Sequence, residues 1–266
     1  MREQLSPELD ESMLDQFQER GYLVLPGFIP ADSLAFLERE VDLWVDSGLR
    51  KRSIAAALEP EVYGAPDMLE IQLAAHGELA VHPPLMSLLA RLMGPSFVFH
   101  HLHSDRRAPG APGKGWHHDY EQSPQRDRDH LMVHALHYIG GLQPDMGGLA
   151  VLPGSHREVA DKAARAHLGT APLPSEDVID ELPPGSTVVL HSALFHARRT
   201  APGASGGRPR YMIDASYCQT GTRWPPVKPY WRHLLATARE LDLGRGRWPE
   251  LFAERHFTEY VRGRAG

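Results

Sequence analysis

The chain has 266 residues, of which 42% are hydrophobic and 23% are charged, an ordinary globular composition that excludes disorder of the chain as a whole. Its formal net charge of −6 gives no electrostatic support for nucleic-acid binding, and its one cysteine, Cys218, excludes an internal disulfide and fits a reducing compartment. No apolar run approaches the ~18 residues that span a bilayer, and the N-terminus lacks the apolar region of a signal peptide. These features predict a soluble, cytoplasmic protein without nucleic-acid or membrane partners.

The first ninety residues carry helical patterns. Ser6 is expected to cap a first helix with Pro7 as its first helical residue, and Gly21 stands where that helix would end. Apolar residues at 3-4-3 spacing predict a second helix, and a third is closed by a glycine. A short strand at 22–25 and helices at about 34–48 and 85–93 are therefore expected.

After residue 94 short runs of β-forming residues alternate with Pro, Gly and Asp, which indicates a sandwich or barrel rather than βαβ units. Strands are predicted at 97–102, 131–139, 149–152, 186–190 and 211–217. Loops at 106–115 and 201–209 flank histidine-rich positions, where binding loops are often found. A further helix is expected around 234–241. The simplest organisation is a single domain, 1–266, with a helical layer at 1–94, a core at 95–220 and a helical tail at 221–266.

The 16 histidines direct attention to metal binding. In a strand the side chains at i and i+2 share a face, so His117 and Asp119 would point together while His118 points away. A third ligand has to come from elsewhere, and His191 and His196 both lie in one downstream segment. Two imidazoles and one carboxylate with open positions opposite are the ligand set that selects non-haem Fe(II) for oxygen chemistry.

Other histidine patterns allow other interpretations. His101, His103 and Asp105 resemble the HxHxDH signature of metallo-β-lactamase-like zinc hydrolases, but an arginine replaces its last histidine. These residues are expected to alternate across a strand, with one set facing a cavity. His134 and His137 lie at i and i+3 of a predicted strand, hence on opposite faces. Phosphate-binding loops are absent from the sequence.

Several segments, in order, resemble the phytanoyl-CoA dioxygenase family. They are Trp-His-His-Asp at 116–119, Gly-Gly-Leu-Ala-Val-Leu-Pro-Gly-Ser-His-Arg at 147–157, Pro-Gly-Ser at 184–186, and the segments 20–28, 191–196 and 210–217. The resemblance covers about residues 10–220. It implies a mainly β fold with flanking helices, namely a double-stranded β-helix (jelly roll) with a helical N-terminal layer. It also implies the cofactors Fe(II), 2-oxoglutarate and O2.

The resemblance assigns roles to individual residues. His117, Asp119 and His196 match the metal ligands, whereas His191 matches a histidine that does not bind metal. Arg210 best matches the arginine that binds the distal carboxylate of 2-oxoglutarate, a task suited to the guanidinium fork. Arg208 stays an alternative, because a glycine-rich insert at 203–207 lengthens the gap after His196 and because strand parity places both arginines on one face.

Substrate specificity in such barrels resides in lid and cavity residues. A basic position before the lid loop corresponds to Arg106 or Arg107. The candidates for contact with substrate are Arg107, Tyr120, Glu121, His134 and Tyr217, although both tyrosines also suit the core and Glu121 a solvated loop.

The function implied is hydroxylation of a small organic molecule with release of succinate and CO2. The same site could instead carry out desaturation, cyclisation or halogenation, and a third possibility is a non-catalytic or zinc-binding jelly-roll protein. No sequence feature specifies the oligomeric state.

Overall fold

The structure is a computed structural model that describes residues 11–122, 128–201 and 207–262. The predicted cap at Ser6 and Pro7 lies outside this part of the chain. The described helices are α1 (Glu11–Arg20), α2 (Ala31–Asp46), α3 (Leu49–Leu58), α4 (Pro60–Tyr63), α5 (Ala74–Ala80), α6 (Pro83–Met93) and α7 (Trp231–Glu240). The described strands are β1 (Tyr22–Leu25), β2 (Phe97–Arg107), β3 (Lys114–His117), β4 (Met132–Tyr138), β5 (Leu149–Val151), β6 (Asp177–Ile179), β7 (Ser186–His191), β8 (His196–Arg198) and β9 (Arg210–Gln219).

The predicted helices at the N-terminal end are present. Helix α1 ends at Arg20. The next residue, Gly21, has φ = +83°, and a Cβ there would lie 2.5 Å from Nδ1 of His156, so glycine is required both by the backbone and by the close approach. Helix α2 buries Leu37, Val41 and Trp44 at the spacing of one helical face. Helices α3 and α5 were not predicted, because their alanine-rich sequences lack a strong apolar stripe.

Two antiparallel sheets face each other, as the resemblance implied. One has the strand order β1-β7-β4-β9-β2 and the other the order β3-β8-β5-β6. Helices α2 and α6 pack against β2, and a large apolar cluster joins these helices to the five-stranded sheet. The expected jelly roll with a helical N-terminal layer is therefore confirmed.

Three strands escaped prediction: β3, β6 and β8, of three or four residues each. They are too short for a two-residue alternation to stand out, and pairing with longer neighbours stabilises them. Because β2 extends to Arg107 and β3 begins at Lys114, the first predicted loop shrinks to residues 108–113. Of the second, residues 202–206 lie outside the described chain. None of the described helices combines the length and apolarity that a membrane crossing requires.

Candidate metal centre

The two short strands β3 and β8 place two histidines side by side. They pair antiparallel with His117 directly opposite His196, and the ring centroids are 4.3 Å apart. Asp119 follows two residues after His117, beyond the strand end, where its backbone N–H donates to the carbonyl of Ser192 (2.8 Å). His118 turns away, as predicted, with Nε2 donating to the carbonyl of Ala160 (2.9 Å).

These three side chains converge on one point. Oδ2 of Asp119 lies 3.2 Å from Nε2 of His196 and 3.7 Å from Nε2 of His117. One donor atom from each residue lies within 4.8 Å of the others. Two imidazole nitrogens and a carboxylate oxygen at this spacing can occupy neighbouring positions around one ion.

The tautomers set by the backbone show that the trio fits a divalent cation. Nδ1 of His117 bonds the carbonyl of Gly115 at 2.7 Å, and Nδ1 of His196 bonds the carbonyl of Leu194 at 3.0 Å. A carbonyl only accepts, so both Nδ1 atoms carry the proton and, in the neutral rings, both Nε2 lone pairs face Asp119. Nε2 of His117 is buried and has no hydrogen-bond partner in the described part of the chain. Without a cation, these lone pairs and the carboxylate oxygen of Asp119 repel one another. A cation between them would accept all three as ligands.

Electrostatics keep His117 and Asp119 in their ligating forms. Burial lowers the pKa of His117 to about 3, and repulsion from His196 adds to this effect, so the ring of His117 is neutral at pH 7. Burial alone would raise the pKa of Asp119, but the two neighbouring imidazoles lower it well below its ordinary value. The carboxylate is therefore ionised, and no proton has to leave these two groups before a metal binds at pH 7.

A cavity of about 260 Å³ lies between the two sheets and is lined by all three residues of the trio and by Arg210. Arg210 is only 4% exposed. Its Nη1 donates to the carbonyl of Gly147 (3.0 Å), and its Nε has no hydrogen-bond partner among the described residues. Gly147 has φ = +77°, and a Cβ there would lie 2.4 Å from the carbonyl oxygen of Arg199, so the turn that positions this acceptor requires glycine.

The structure places Arg208 away from the cavity. Strand β9 begins at Arg210, so Arg208 precedes the strand and the parity argument does not apply to it. Its side chain is 56% exposed and pairs with Glu38 of α2 (2.6 Å).

Of the five residues predicted to contact substrate, the structure places only Arg107 on the cavity wall. Tyr217 is fully buried, and its hydroxyl donates to the carbonyl of Ala80 (2.8 Å). Tyr120 is buried likewise and donates to the carbonyl of His130 (2.7 Å). Both tyrosines belong to the large apolar cluster of the core, so they are core aromatics rather than cavity residues.

Glu121 and His134 also have partners of their own instead of lining the cavity. Glu121 forms an ion pair with Lys162, although burial raises the pKa of Glu121. Nδ1 of His134 donates to the carboxylate of Asp214 at 2.9 Å. Burial alone would lower the pKa of His134, but Asp214 raises it above its ordinary value.

Sequence reasoning missed Lys114, Arg198 and Asp214, which all line the cavity. His103 and Asp105 line it too, in accord with the expected alternation along β2. The zinc-hydrolase motif is not assembled within the described residues, since His101 groups with His134 and Asp214 rather than with His103 and Asp105. The two-residue alternation along β9 was the available signal for Asp214, since it shares a face with Arg210.

The other two histidines considered from the sequence lie outside the trio. His191 accepts a hydrogen bond at Nδ1 from the backbone N–H of Ala193 (3.0 Å). His137 is fully buried, with Nδ1 2.8 Å from the hydroxyl of Thr187. The second downstream histidine, His196, is thus the one that reaches His117 and Asp119.

A family model described as phytanoyl-CoA dioxygenase (PhyH) matches residues 17–205, more than two thirds of the chain. The chain belongs to the phytanoyl-CoA dioxygenase family. Enzymes of this family are oxygenases that depend on Fe(II) and 2-oxoglutarate and use O2, which confirms the class of cofactor expected from the sequence.

Solved structures with the same fold include HygX from Streptomyces hygroscopicus with nickel and 2-oxoglutarate bound, at 18% identity and a TM-score of 0.59, covering 82% of this chain and 89% of that one. AviO1 from Streptomyces viridochromogenes Tue57 has 18% identity and a TM-score of 0.55, and the match covers 81% of this chain and 96% of AviO1. The epimerase SnoN, in complex with Fe3+, alpha ketoglutarate and nogalamycin RO, has 16% identity and a TM-score of 0.55. The match covers 81% of this chain and 86% of SnoN. At these identities the likeness concerns the fold.

Proposed function

We propose that this protein is an Fe(II)- and 2-oxoglutarate-dependent dioxygenase that hydroxylates a small organic substrate and releases succinate and CO2. The observation that carries the proposal is the convergence of His117, Asp119 and His196 inside a cavity. The Nε2 lone pairs of the two histidines face the carboxylate of Asp119. These three residues would hold the iron. Fe(II) held there would supply, together with 2-oxoglutarate, the activation of O2 that oxidation of a C–H bond requires.

Arg210 would hold the distal carboxylate of 2-oxoglutarate. Its guanidinium is buried and lines the same cavity as the metal ligands, and within residues 11–122, 128–201 and 207–262 its Nε has no hydrogen-bond partner. A planar guanidinium offers a carboxylate two parallel N–H donors. The hydrogen bond to Gly147 holds the side chain in place before the cosubstrate arrives.

Retention of Asp119 bears on the type of reaction. A halogenase of this class replaces the carboxylate ligand with a small residue to make room for a halide, and this chain keeps the carboxylate. Hydroxylation is therefore favoured over halogenation. The substrate is expected to be a small molecule, in line with the nogalamycin RO bound by SnoN.

Anaerobic titration of the purified protein with Fe(II) tests the metal site. We expect one ion per chain, and we expect alanine at His117, Asp119 or His196 to abolish both iron binding and conversion of 2-oxoglutarate. His118→Ala provides the adjacent control, because its ring points to Ala160 and not to the trio. Loss of iron on substitution of Asp214, with retention in Asp119→Ala, would assign the metal to the other histidine–carboxylate group.

A further inference from the structure

Four cationic side chains meet at one part of the cavity as two like-charged cross-strand pairs. Lys114 lies directly opposite Arg198 in the β3–β8 pair, and Arg107 lies directly opposite Arg210 in the β2–β9 pair. All four line the cavity, and we refer to them as the basic cluster. Like charges at directly opposed positions destabilise a sheet, so two such pairs at one place indicate that something else compensates them.

The protein itself supplies little compensation. Among the described residues that line the cavity, Asp105 is the one carboxylate near the cluster: it accepts from Nε of Arg107 at 2.6 Å and lies 3.8 Å from Nη1 of Arg198. The other two cavity carboxylates are engaged, Asp119 within the metal trio and Asp214 by His134. Within the described residues, Lys114 has no carboxylate at ion-pair distance. Four cations against one carboxylate leave an excess of three positive charges.

Burial makes this excess costly at Arg198 and Arg210, whereas Arg107 and Lys114 reach the cavity from exposed positions. The side chain of Arg198 is 17% exposed, and its one hydrogen bond within the described chain is to the carbonyl of Pro112 (2.9 Å). Desolvated charges without counter-charges are unfavourable, and such an arrangement is typical of a site that receives an anion.

Binding of 2-oxoglutarate would neutralise only part of the positive charge of the basic cluster. Of the two carboxylates of 2-oxoglutarate, one belongs to the group that chelates the metal, and the distal one is assigned above to Arg210. An excess of two positive charges then remains on Arg107, Lys114 and Arg198. The distal carboxylate alone therefore leaves the cavity electrostatically incomplete.

We propose that the substrate is an organic anion whose carboxylate or phosphate binds Arg107, Lys114 and Arg198. This inference rests on the proposed function and names the substrate class for the same site. Arg198 follows His196 by two residues on the same face of β8, which separates their Cα atoms by about 7 Å. The anionic group and the oxidised carbon of the substrate are therefore only a few bonds apart.

The test measures binding of matched probes to the wild-type protein loaded with Fe(II) and 2-oxoglutarate under anaerobic conditions. Calorimetry compares butanoate and propyl phosphate, two organic anions, with neutral butanamide. We expect at least one anion to bind tenfold more tightly than the amide, and the two anions identify which anionic group the site prefers. Equal binding of amide and anions would overturn the proposal.

Variants locate the binding to the cluster. Lys114→Met and Arg198→Met should each weaken binding of the preferred anion at least tenfold, whereas Arg232→Met, on the exposed face of α7, should leave it unchanged. Asp105→Asn should strengthen anion binding several-fold, because it removes the one local negative charge. Unchanged binding in both Met variants, or weaker binding in Asp105→Asn, would contradict the inference.

Two further measurements keep the outcomes separate. Thermal unfolding of Lys114→Met in the absence of ligand should show no loss of stability, since the substitution removes a like-charge pair. Binding of Fe(II) and 2-oxoglutarate to the wild-type protein is measured first. Failure there refutes the proposed function, whereas success there combined with indifference to probe charge refutes only the substrate class.

Discussion

Replacement of Arg210 by methionine is the sharpest test of the cosubstrate site. The guanidinium is 4% exposed, so a carboxylate bound to it is largely removed from water. Truncating one partner of a buried hydrogen-bonded charge pair costs about 2–5 kcal/mol. Arg198 and Arg107 stay nearby and retain part of the attraction, so the lower part of this range applies. At about 1.4 kcal/mol per factor of ten, a loss of about 2–3 kcal/mol weakens 2-oxoglutarate binding about 30- to 150-fold.

The assay is anaerobic titration of 2-oxoglutarate into the Fe(II)-loaded protein, with affinity obtained by calorimetry. Arg210→Lys should recover part of the loss, because it restores the charge but not the two-pronged donor. Arg208→Met is the matched control, since Arg208 is exposed and paired with Glu38. A threefold or smaller effect of Arg210→Met, or an equal effect of Arg208→Met, would refute the assignment of Arg210.

Three other expectations follow from the same contacts. Tyr217→Phe leaves the buried carbonyl of Ala80 without its donor and should lower the free energy of unfolding by about 1–3 kcal/mol; chemical denaturation measures this, and conversion of 2-oxoglutarate by the folded variant should be unchanged if the ring is a core group. Burial lowers the pKa of His137 to about 3, so below pH 6.5 the unfolded chain binds a proton at this residue that the folded protein does not. The free energy of unfolding therefore falls by about 1.4 kcal/mol per pH unit below pH 6.5, whereas above it this group causes no loss. His137→Gln should reduce the dependence of the free energy of unfolding on pH between pH 6.5 and pH 4. An unaltered dependence would show that another group causes the loss of stability. Once a substrate is found, mass spectrometry under ¹⁸O2 with chloride present should show a product with one labelled oxygen, because Asp119 occupies the position a halide needs; a chlorinated product would contradict this, and loss of two hydrogens would indicate desaturation.

The local periodicities in the sequence were sufficient for most of the fold. Residues 97–102, 131–139, 186–190 and 211–217 fall within or largely on observed strands, because alternation and β-propensity act over a few neighbouring residues. The separation of His117 from His118 follows from the same rule. The choice of Fe(II) and 2-oxoglutarate came from the resemblance of ordered motifs, and the family match bears it out.

Alternation states which residues share a face, but not whether that face meets a cavity, a helix layer or solvent. Alternation puts Tyr217 and Arg210 on opposite faces of β9, but only the packing shows that one face meets the apolar core and the other the cavity. Arg208 and Arg210 differ because the strand begins between them, a boundary that pairing with β2 decides.

The proximity of His196 to His117 and the opposition of Lys114 to Arg198 depend on the register of β3 and β8. These strands are only three or four residues long and are separated by about eighty residues of sequence, so their pairing is a long-range property of the folded chain. The sequence alone determined which chemical groups were available on each strand. Only the tertiary structure decided which of them face each other across the cavity, because cross-strand neighbours are brought together by the packing of the two sheets.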